Sequence, residues 1–157
     1  MGREIERKFL VRDTSVLEGV SGIEIRQGYL SIDPERSVRV RRAGELAFVT
    51  IKGKTNASGT SRSEFEYPIP PGDADVILDE LARRPLIEKT RYRVQAGNRV
   101  WEIDVFGGVN AGLVVAEVEL PAEDTRFALP AWADAEVTGD PRYYNVNLVE
   151  HPYRDWA

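Results

Sequence analysis

Apolar and charged residues alternate with a period of two along most of this chain, the spacing of β-strands whose two faces meet different surroundings. In residues 3–12, Glu4, Glu6 and Lys8 share one side, while Ile5, Phe9 and Val11 populate the other. The alternation returns in residues 23–32, 37–42, 46–54, 62–67, 86–95, 100–106 and 113–120. Turn chemistry punctuates these runs at Asp33-Pro34, Ala43-Gly44-Glu45, Gly97-Asn98 and Gly107-Gly108. Helical spacing is clearest over residues 73–84, where Val76, Ile77 and Leu81 are the apolar positions and an acidic start is matched by Arg83-Arg84, which complement the helix dipole. A capped turn near Val16-Leu17, a helix-like segment over 122–129 and a short helix around 140–148 complete the expected elements. The polar stretch 54–59 is expected to be a mobile loop able to act as a lid.

Half-buried antiparallel strands commonly present mixed Thr, Ser, Gln and Lys to water, whereas here strand after strand carries full charges. Arg39 and Arg41 oppose Val38 and Val40, Lys52 opposes Val49 and Ile51, and Glu102 and Asp104 oppose Trp101, Ile103 and Val105. Glu117 and Glu119 oppose Val114, Ala116 and Val118, while Lys89, Arg91 and Arg93 share a side, as do Arg62, Glu64 and Glu66. A sheet that closes on itself accounts for this regularity, because interior and exterior residues alternate along every barrel strand. The charged faces would then converge on an aqueous tunnel, and helices over the Val and Ile faces would supply the hydrophobic core. Desolvating charges costs several kcal/mol per ion unless partners compensate, so such a tunnel implies a ligand.

The length of 157 residues suits one domain, 1–157, able to bury a core without disulfides or structural metal. The chain has no cysteine, which excludes thiolate catalysis and zinc-thiolate sites and suits a reducing cytoplasm. Lys+Arg total 21 against Asp+Glu 26, and the net charge of -5 argues against general nucleic-acid affinity. No run approaches the roughly 20 apolar residues of a membrane span, so a soluble protein with no membrane partner is expected.

Glu4, Glu6 and Lys8 on one strand face suit a divalent cation and the anion that it carries. A solvent-facing Glu–Lys ladder has the same spacing, and the strand alone leaves both readings open. Arg62, Lys54 and Arg93 share parity with the charged interior but lie near loop ends, which assigns them to the rim or surface. His151, the single histidine, is expected in solvent, and Trp132, Tyr143 and Tyr144 in the core or a carboxyl-terminal plug.

Glu4-Ile5-Glu6-Arg7-Lys8 matches the Glu-x-Glu-x-Lys signature by which the chain resembles the CYTH superfamily, the triphosphate tunnel metalloenzymes. Arg26-Gln27-Gly28-Tyr29-Leu30, Val38-Arg39-Val40-Arg41, Thr50-Ile51-Lys52 and Glu88-Lys89-Thr90-Arg91-Tyr92 resemble that family in its order. So do Glu102-Ile103-Asp104-Val105-Phe106, Val115-Ala116-Glu117-Val118-Glu119 and Glu136-Val137-Thr138 with Arg142-Tyr143 and Asn145. The likeness spans nearly the whole chain and is strongest to small stand-alone bacterial members similar to inorganic tripolyphosphatases.

That resemblance implies an α+β protein built on a closed eight-stranded antiparallel β-barrel with a few flanking helices. It implies metal-dependent hydrolysis of a phosphoanhydride bond in inorganic tripolyphosphate. Glu4, Glu6, Asp104, Glu117 and Glu119 would face Mg²⁺ or Mn²⁺, two ions in all, with Glu64 and Glu102 behind them. Lys8, Arg39, Arg41, Lys52, Lys89, Arg91 and Tyr29 would bind substrate, and Glu4, Glu6, Lys8, Lys89 and Glu119 would carry the chemistry. Hydrolysis of thiamine triphosphate or a nucleoside triphosphate, or polyphosphate binding without turnover, are the alternatives. The cyclase-type His-Phe motif is missing, which disfavours an adenylate cyclase. Members of the family often pair as dimers, which makes a homodimer one expectation here, and no feature of this sequence identifies such an interface.

Overall fold

The computed structural model describes residues 3–156. The alternating runs become β1 (Arg3–Val11), β2 (Gly22–Ser31), β3 (Arg36–Ala43), β4 (Leu46–Gly53), β5 (Ser61–Pro68), β6 (Ile87–Ala96), β7 (Arg99–Phe106) and β8 (Val114–Glu119). A further short strand, β9 (Ala133–Glu136), and two α-helices, α1 (Pro71–Glu80) and α2 (Asn145–Glu150), follow the same chain order among the described residues. The expected domain 1–157 includes Met1, Gly2 and Ala157, which lie outside them.

Every strand pair is antiparallel, in the order β5-β4-β3-β2-β6-β7-β8-β1-β9, and β1 also pairs with β5. Eight strands therefore close into a barrel, as the resemblance implied, and β9 is added on β1. The closing strand serves three neighbours in succession. Its first residues face Ser61–Ser63 of β5, Glu6 through Leu10 face β8, and Phe9 and Val11 also reach Glu136 and Ala133 of β9.

Closure sends odd-numbered residues of β1 outward and even-numbered ones inward. Outside, Phe9 packs with Trp101, Ile103, Ala116 and Val118, and Phe127 and Trp132 cover them. Trp101, 1 % exposed, meets Phe9, Phe127 and Trp132 at centroid distances of 5.7, 5.8 and 5.4 Å. A second outer patch, Val40 and Ala47, lies under Ala74 and Leu78 of α1. Gly28 belongs to this contact: a Cβ there would stand 2.6 Å from Ala82 Cβ and 2.8 Å from Leu86 Cδ2, so only glycine lets the segment that follows α1 lie on β2. Inside, one end of the barrel is filled by Ile87, Phe106, Leu113 and Val115, packed against Tyr143 and against Leu148 and Val149 of α2.

Three expectations are corrected. Residues 122–129 are not helical: between Pro121 and Pro130 the chain makes one turn, Thr125 N–H to Ala122 O at 3.2 Å, then runs extended. Thr125 Oγ1 accepts from the Ala122 N–H, a local bond that competes with helix, and Phe127 anchors the strap on the barrel. The helix expected over 73–84 is α1, which starts at Pro71 and ends at Glu80. Beyond it Arg83 N–H turns back to Tyr29 O on β2 at 3.0 Å. Arg84 donates to the last-turn carbonyl of Asp79 at 2.9 Å, while Arg83 pairs with Glu150 at 3.1 Å. The helix expected over 140–148 divides into a 3₁₀ turn, Pro141–Tyr143, and α2. No helix among the described residues is long and apolar enough to cross a membrane.

Candidate active site

The barrel encloses a cavity of about 670 Å³. Its lining runs from Arg93 and Val100, at the β6–β7 hairpin, to Pro34, Thr55 and Pro141, near the strand ends at the opposite mouth. Between them stand the charged side chains of seven strands.

Strand register puts like charges beside one another. Glu6 of β1 is the cross-strand partner of Glu119 of β8, and Glu117 is the partner of Glu102. Directly opposed like charges destabilise a sheet, so this arrangement requires protons or cations among the carboxylates. The mixture falls into four neighbourhoods.

In the first, Glu4 receives Lys52 Nζ at 3.0 Å and Arg62 Nε at 3.4 Å, and Lys52 also lies 3.6 Å from Glu64. Burial acts to raise Glu4, but Lys52, Arg62 and Lys8 outweigh it and hold its carboxyl at about 2. Glu64 is raised by burial and by the charge of Glu4.

In the second, Lys8 Nζ stands 3.8 Å from Glu6 and 3.7 Å from Glu117. Burial and repulsion from Glu117 push Glu6 up to about 8. Glu117, although buried, is held down at about 2 by Lys8, Arg91 and Lys89 and by its hydrogen bond with Glu6. Burial thus disfavours two charges on this pair, and the upward shift falls on Glu6. Glu119, more exposed, is raised by burial and by repulsion from Glu4 and Glu102.

In the third, Asp104 is gripped by Lys89 Nζ at 2.8 Å and by Arg91 through Nε at 2.8 Å and Nη2 at 2.9 Å. Arg91 reaches Glu102 at 3.3 Å as well. Lys89 is lowered to about 8 by burial, against the pull of Asp104, while Arg91 is raised by Asp104 against burial. In the fourth, Arg39 and Arg41 share Glu66 at 3.8 and 3.5 Å. Arg41 is lowered to about 10 by burial and by its neighbours Arg39 and Arg91. Tyr29, 5 % exposed, lines the same cavity where it meets the apolar floor.

The cavity therefore unites Glu4, Glu6, Glu117, Glu119, Glu64, Glu102, Lys8, Arg39, Arg41, Lys52, Lys89, Arg91 and Tyr29. Asp104, expected to face metal, differs: it does not line the cavity, and its oxygens serve Lys89 and Arg91 from behind. Arg62, expected on the rim, points inward onto Glu4, as its parity with Glu64 and Glu66 allows, although it lies close to a loop. Lys54 and Arg93 are exposed at the two mouths, and His151 is exposed. Glu66 and Asn145 also line the cavity; Asn145 Oδ1 accepts from Lys89 Nζ at 3.0 Å.

The expected lid is docked. Asn56 Nδ2, Ser58 Oγ and Thr60 Oγ1 donate to Glu123 Oε1 at 3.1, 3.1 and 2.7 Å, and Gly59 lies against Gly139.

The CYTH domain model matches residues 2–153 of this chain. An inorganic triphosphatase of Acetivibrio thermocellus is 47 % identical over 156 residues, covering 99 % of each chain. An inorganic triphosphatase of Nitrosomonas europaea is 36 % identical over 150 residues, covering 93 % of this chain and 96 % of the other. A crystal structure of an inorganic triphosphatase superposes with a TM-score of 0.64 at 34 % identity, over 93 % of this chain and 97 % of that one. With the family match spanning the barrel from its closing strand to the carboxyl-terminal plug, this chain belongs to the CYTH domain family.

Proposed function

We propose that this chain, acting as a single domain over 1–157 in the cytoplasm, hydrolyses a phosphoanhydride bond of inorganic tripolyphosphate with Mg²⁺ or Mn²⁺. The observation that carries the proposal is the convergence of Lys8, Arg39, Arg41, Lys52, Arg62, Lys89 and Arg91 with paired carboxylates on one cavity. Relatives named inorganic triphosphatase, at 47 % and 36 % identity, support the substrate class.

The donor set suits a hard divalent ion, which takes carboxylate oxygens. Glu6 is raised by burial and by Glu117, a repulsion that an ion would relieve, and Glu64 is likewise raised beside Glu4. Among the described residues no three such groups already converge on one point, because Lys8 and Lys52 stand between them. Glu4, Glu6, Glu117 and Glu119 would hold the ions, with Glu64 and Glu102 behind; their division between Lys52 and Lys8 is the reason for proposing two. When bound, such ions neutralise phosphoryl charge and lower the pKa of water.

The protein's own residues do the rest. Arg39, Arg41 and Arg91 offer forked donors to phosphate oxygens, and Lys8, Lys52 and Lys89 offer point charges. Their preorganised charge meets the negative charge of the transferred group and the leaving oxygen in line with the attack. Glu119 is better matched than Glu4 to accept a proton from the attacking water, since its pKa is raised while Glu4 is held at about 2. Asp104 serves as counter-charge, keeping Lys89 and Arg91 aimed.

The test is phosphate release from tripolyphosphate, pyrophosphate, thiamine triphosphate, ATP and GTP with Mg²⁺ or Mn²⁺ and a chelator control. Chelator-sensitive release from tripolyphosphate above the others is expected. Preference for an organic triphosphate moves the substrate within the class, and binding without release from any of them overturns hydrolysis.

A further inference from the structure

We propose that Asn145 is a positioning residue that sets the direction of Lys89 from the carboxyl-terminal plug; the consequence for turnover rests on the reading that Lys89 binds the substrate.

Lys89 is 5 % exposed, and its ammonium has three hydrogens to place. Asp104 Oδ2 takes one at 2.8 Å and Asn145 Oδ1 takes another at 3.0 Å. The third remains for the cavity that Lys89 lines. One acceptor would fix only a cone of orientations, whereas two on different elements fix the group.

The amide of Asn145 can present only its oxygen here. Turned over, its NH₂ would face a buried ammonium that donates and never accepts. The same oxygen accepts from Gln27 Nε2 at 3.2 Å, so the choice passes along to Gln27, a residue 0 % exposed. Gln27 Oε1 is left without a partner among the described residues. A buried acceptor of this kind is costly to leave unpaired, and turning Gln27 alone would set two amide oxygens face to face. The order of donors and acceptors is therefore dictated from Lys89 outward.

Asn145 is itself held firmly. It begins α2, whose Leu148 and Val149 are buried in the barrel floor, and Glu150 at the other end of the helix pairs with Arg83 at 3.1 Å. Tyr143, two residues earlier, stacks edge-on with Trp156 at 5.2 Å, and Trp156 Nε1 donates to His151 O at 3.1 Å. The plug thus does more than fill the barrel end: it supplies one of the two posts to which Lys89 is tied.

The experiment follows the Lys89 side-chain ammonium by magnetic resonance in protein carrying isotope-labelled lysine, assigned by its loss in Lys89→Met. Asn145→Ala should shift and broaden that resonance, Asn145→Asp, which retains an acceptor oxygen, should keep it sharp, and Asn147→Ala should leave it in place. In a double-mutant cycle, Asn145→Ala should lower kcat about tenfold or more in the wild-type background and leave the residual rate of Lys89→Met unchanged within about twofold. An unmoved resonance in Asn145→Ala, or an equal loss of rate in both backgrounds, overturns the proposal. If the wild-type protein hydrolyses no triphosphate, the proposed function fails while the resonance still decides the role of Asn145.

Discussion

Arg91 and Asp104 face each other across β6 and β7 as cross-strand partners and are joined twice, at 2.8 and 2.9 Å. Lys89 completes the carboxylate's coordination at 2.8 Å, with its side chain and that of Asp104 almost wholly buried. Removing one member of such a group leaves uncompensated buried charge, at a cost of about 3–5 kcal/mol. Asp104→Asn is therefore expected to lower the unfolding free energy by that order in denaturant titration while divalent-ion affinity stays within about threefold. Unchanged stability with lost ion affinity would make Asp104 an ion ligand instead.

Glu6 gives the metal-free protein a definite pH dependence. Its carboxyl is raised from 4.5 to about 8, so between those values the folded state binds a proton that the unfolded chain releases. The associated stability is fully present below about 4.5 and is lost as pH rises through 8. Glu4 and Glu117, held at about 2, act only in acid: their contribution is present above 4.5 and disappears as pH falls toward 2. Lys89, lowered to about 8 from 10.5, makes stability rise with pH beyond that point, opposing any further loss. The thermal midpoint measured with chelator should fall between pH 5 and 8, and Glu6→Gln should flatten this limb. A wild-type midpoint constant across the window refutes the assignment.

On the proposed function, the proton held by Glu6 leaves when a divalent ion binds there. Calorimetric titration with Mg²⁺ near neutral pH, in buffers of different ionisation heat, should report release of about one proton per protein. At pH above 8 the release should vanish, because Glu6 is then already ionised. Glu6→Gln should bind the ion weakly and release none. Proton-neutral binding near pH 7 would put the ion elsewhere.

Much of this architecture was legible from the period-two pattern, since closing the sheet turns each alternating strand into one wall of the interior and one of the exterior. Glu4, Glu6, Lys8, Glu117 and Glu119 needed only parity. What escaped depends on depth and on partners. Asp104 shares parity with Glu102 yet lies deeper, where Lys89 and Arg91 consume it, and no local spacing encodes that depth. Arg62 stands near a loop in the sequence, which suggests the rim, but the short β1–β5 seam carries it to Glu4. β9 is four residues long, too short to show a period, and depends on β1 for its pairing. The strap over 125–130 joins a local cause, the Thr125 bond to Ala122, to a tertiary one, the aromatic patch on which Phe127 packs, and the second is invisible in its own sequence.

Arg39 and Arg41 are cations in excess. Both rely on Glu66, and their Nε atoms have no hydrogen-bond partner among the described residues. A phosphate oxygen would satisfy either one. Arg41→Ala should weaken tripolyphosphate by about 1.5–3 kcal/mol, the range for hydrogen bonds to charged groups, which is roughly ten- to a hundredfold in KM. Thermal stability should hold or rise, because a buried like-charge neighbour of Arg39 is removed. A falling midpoint with unchanged KM would reduce Arg41 to a structural role.

Gly59 and Gly139 control the docking of the loop beside the cavity. Gly59 has φ +77°, and a Cβ there would come within 2.4 Å of Gly139 Cα and 2.8 Å of its nitrogen, both backbone atoms that cannot move aside. Gly97, with φ +62° and nothing within 4 Å of its ideal Cβ, supplies the control for conformation alone. Each substitution by Ala carries the left-handed penalty of about 1–3 kcal/mol, and only Gly59→Ala adds the collision. Gly59→Ala should therefore lose more stability than Gly97→Ala and open residues 54–60 to limited proteolysis, which Gly97→Ala should leave protected. Because Thr55, Gly59 and Thr60 line a pocket together with Glu4, Lys8 and Arg62, release of the loop should raise KM for tripolyphosphate more than it lowers kcat. Equal stability losses and equal protease resistance in the two variants would mean that the Gly59–Gly139 contact does not hold the loop.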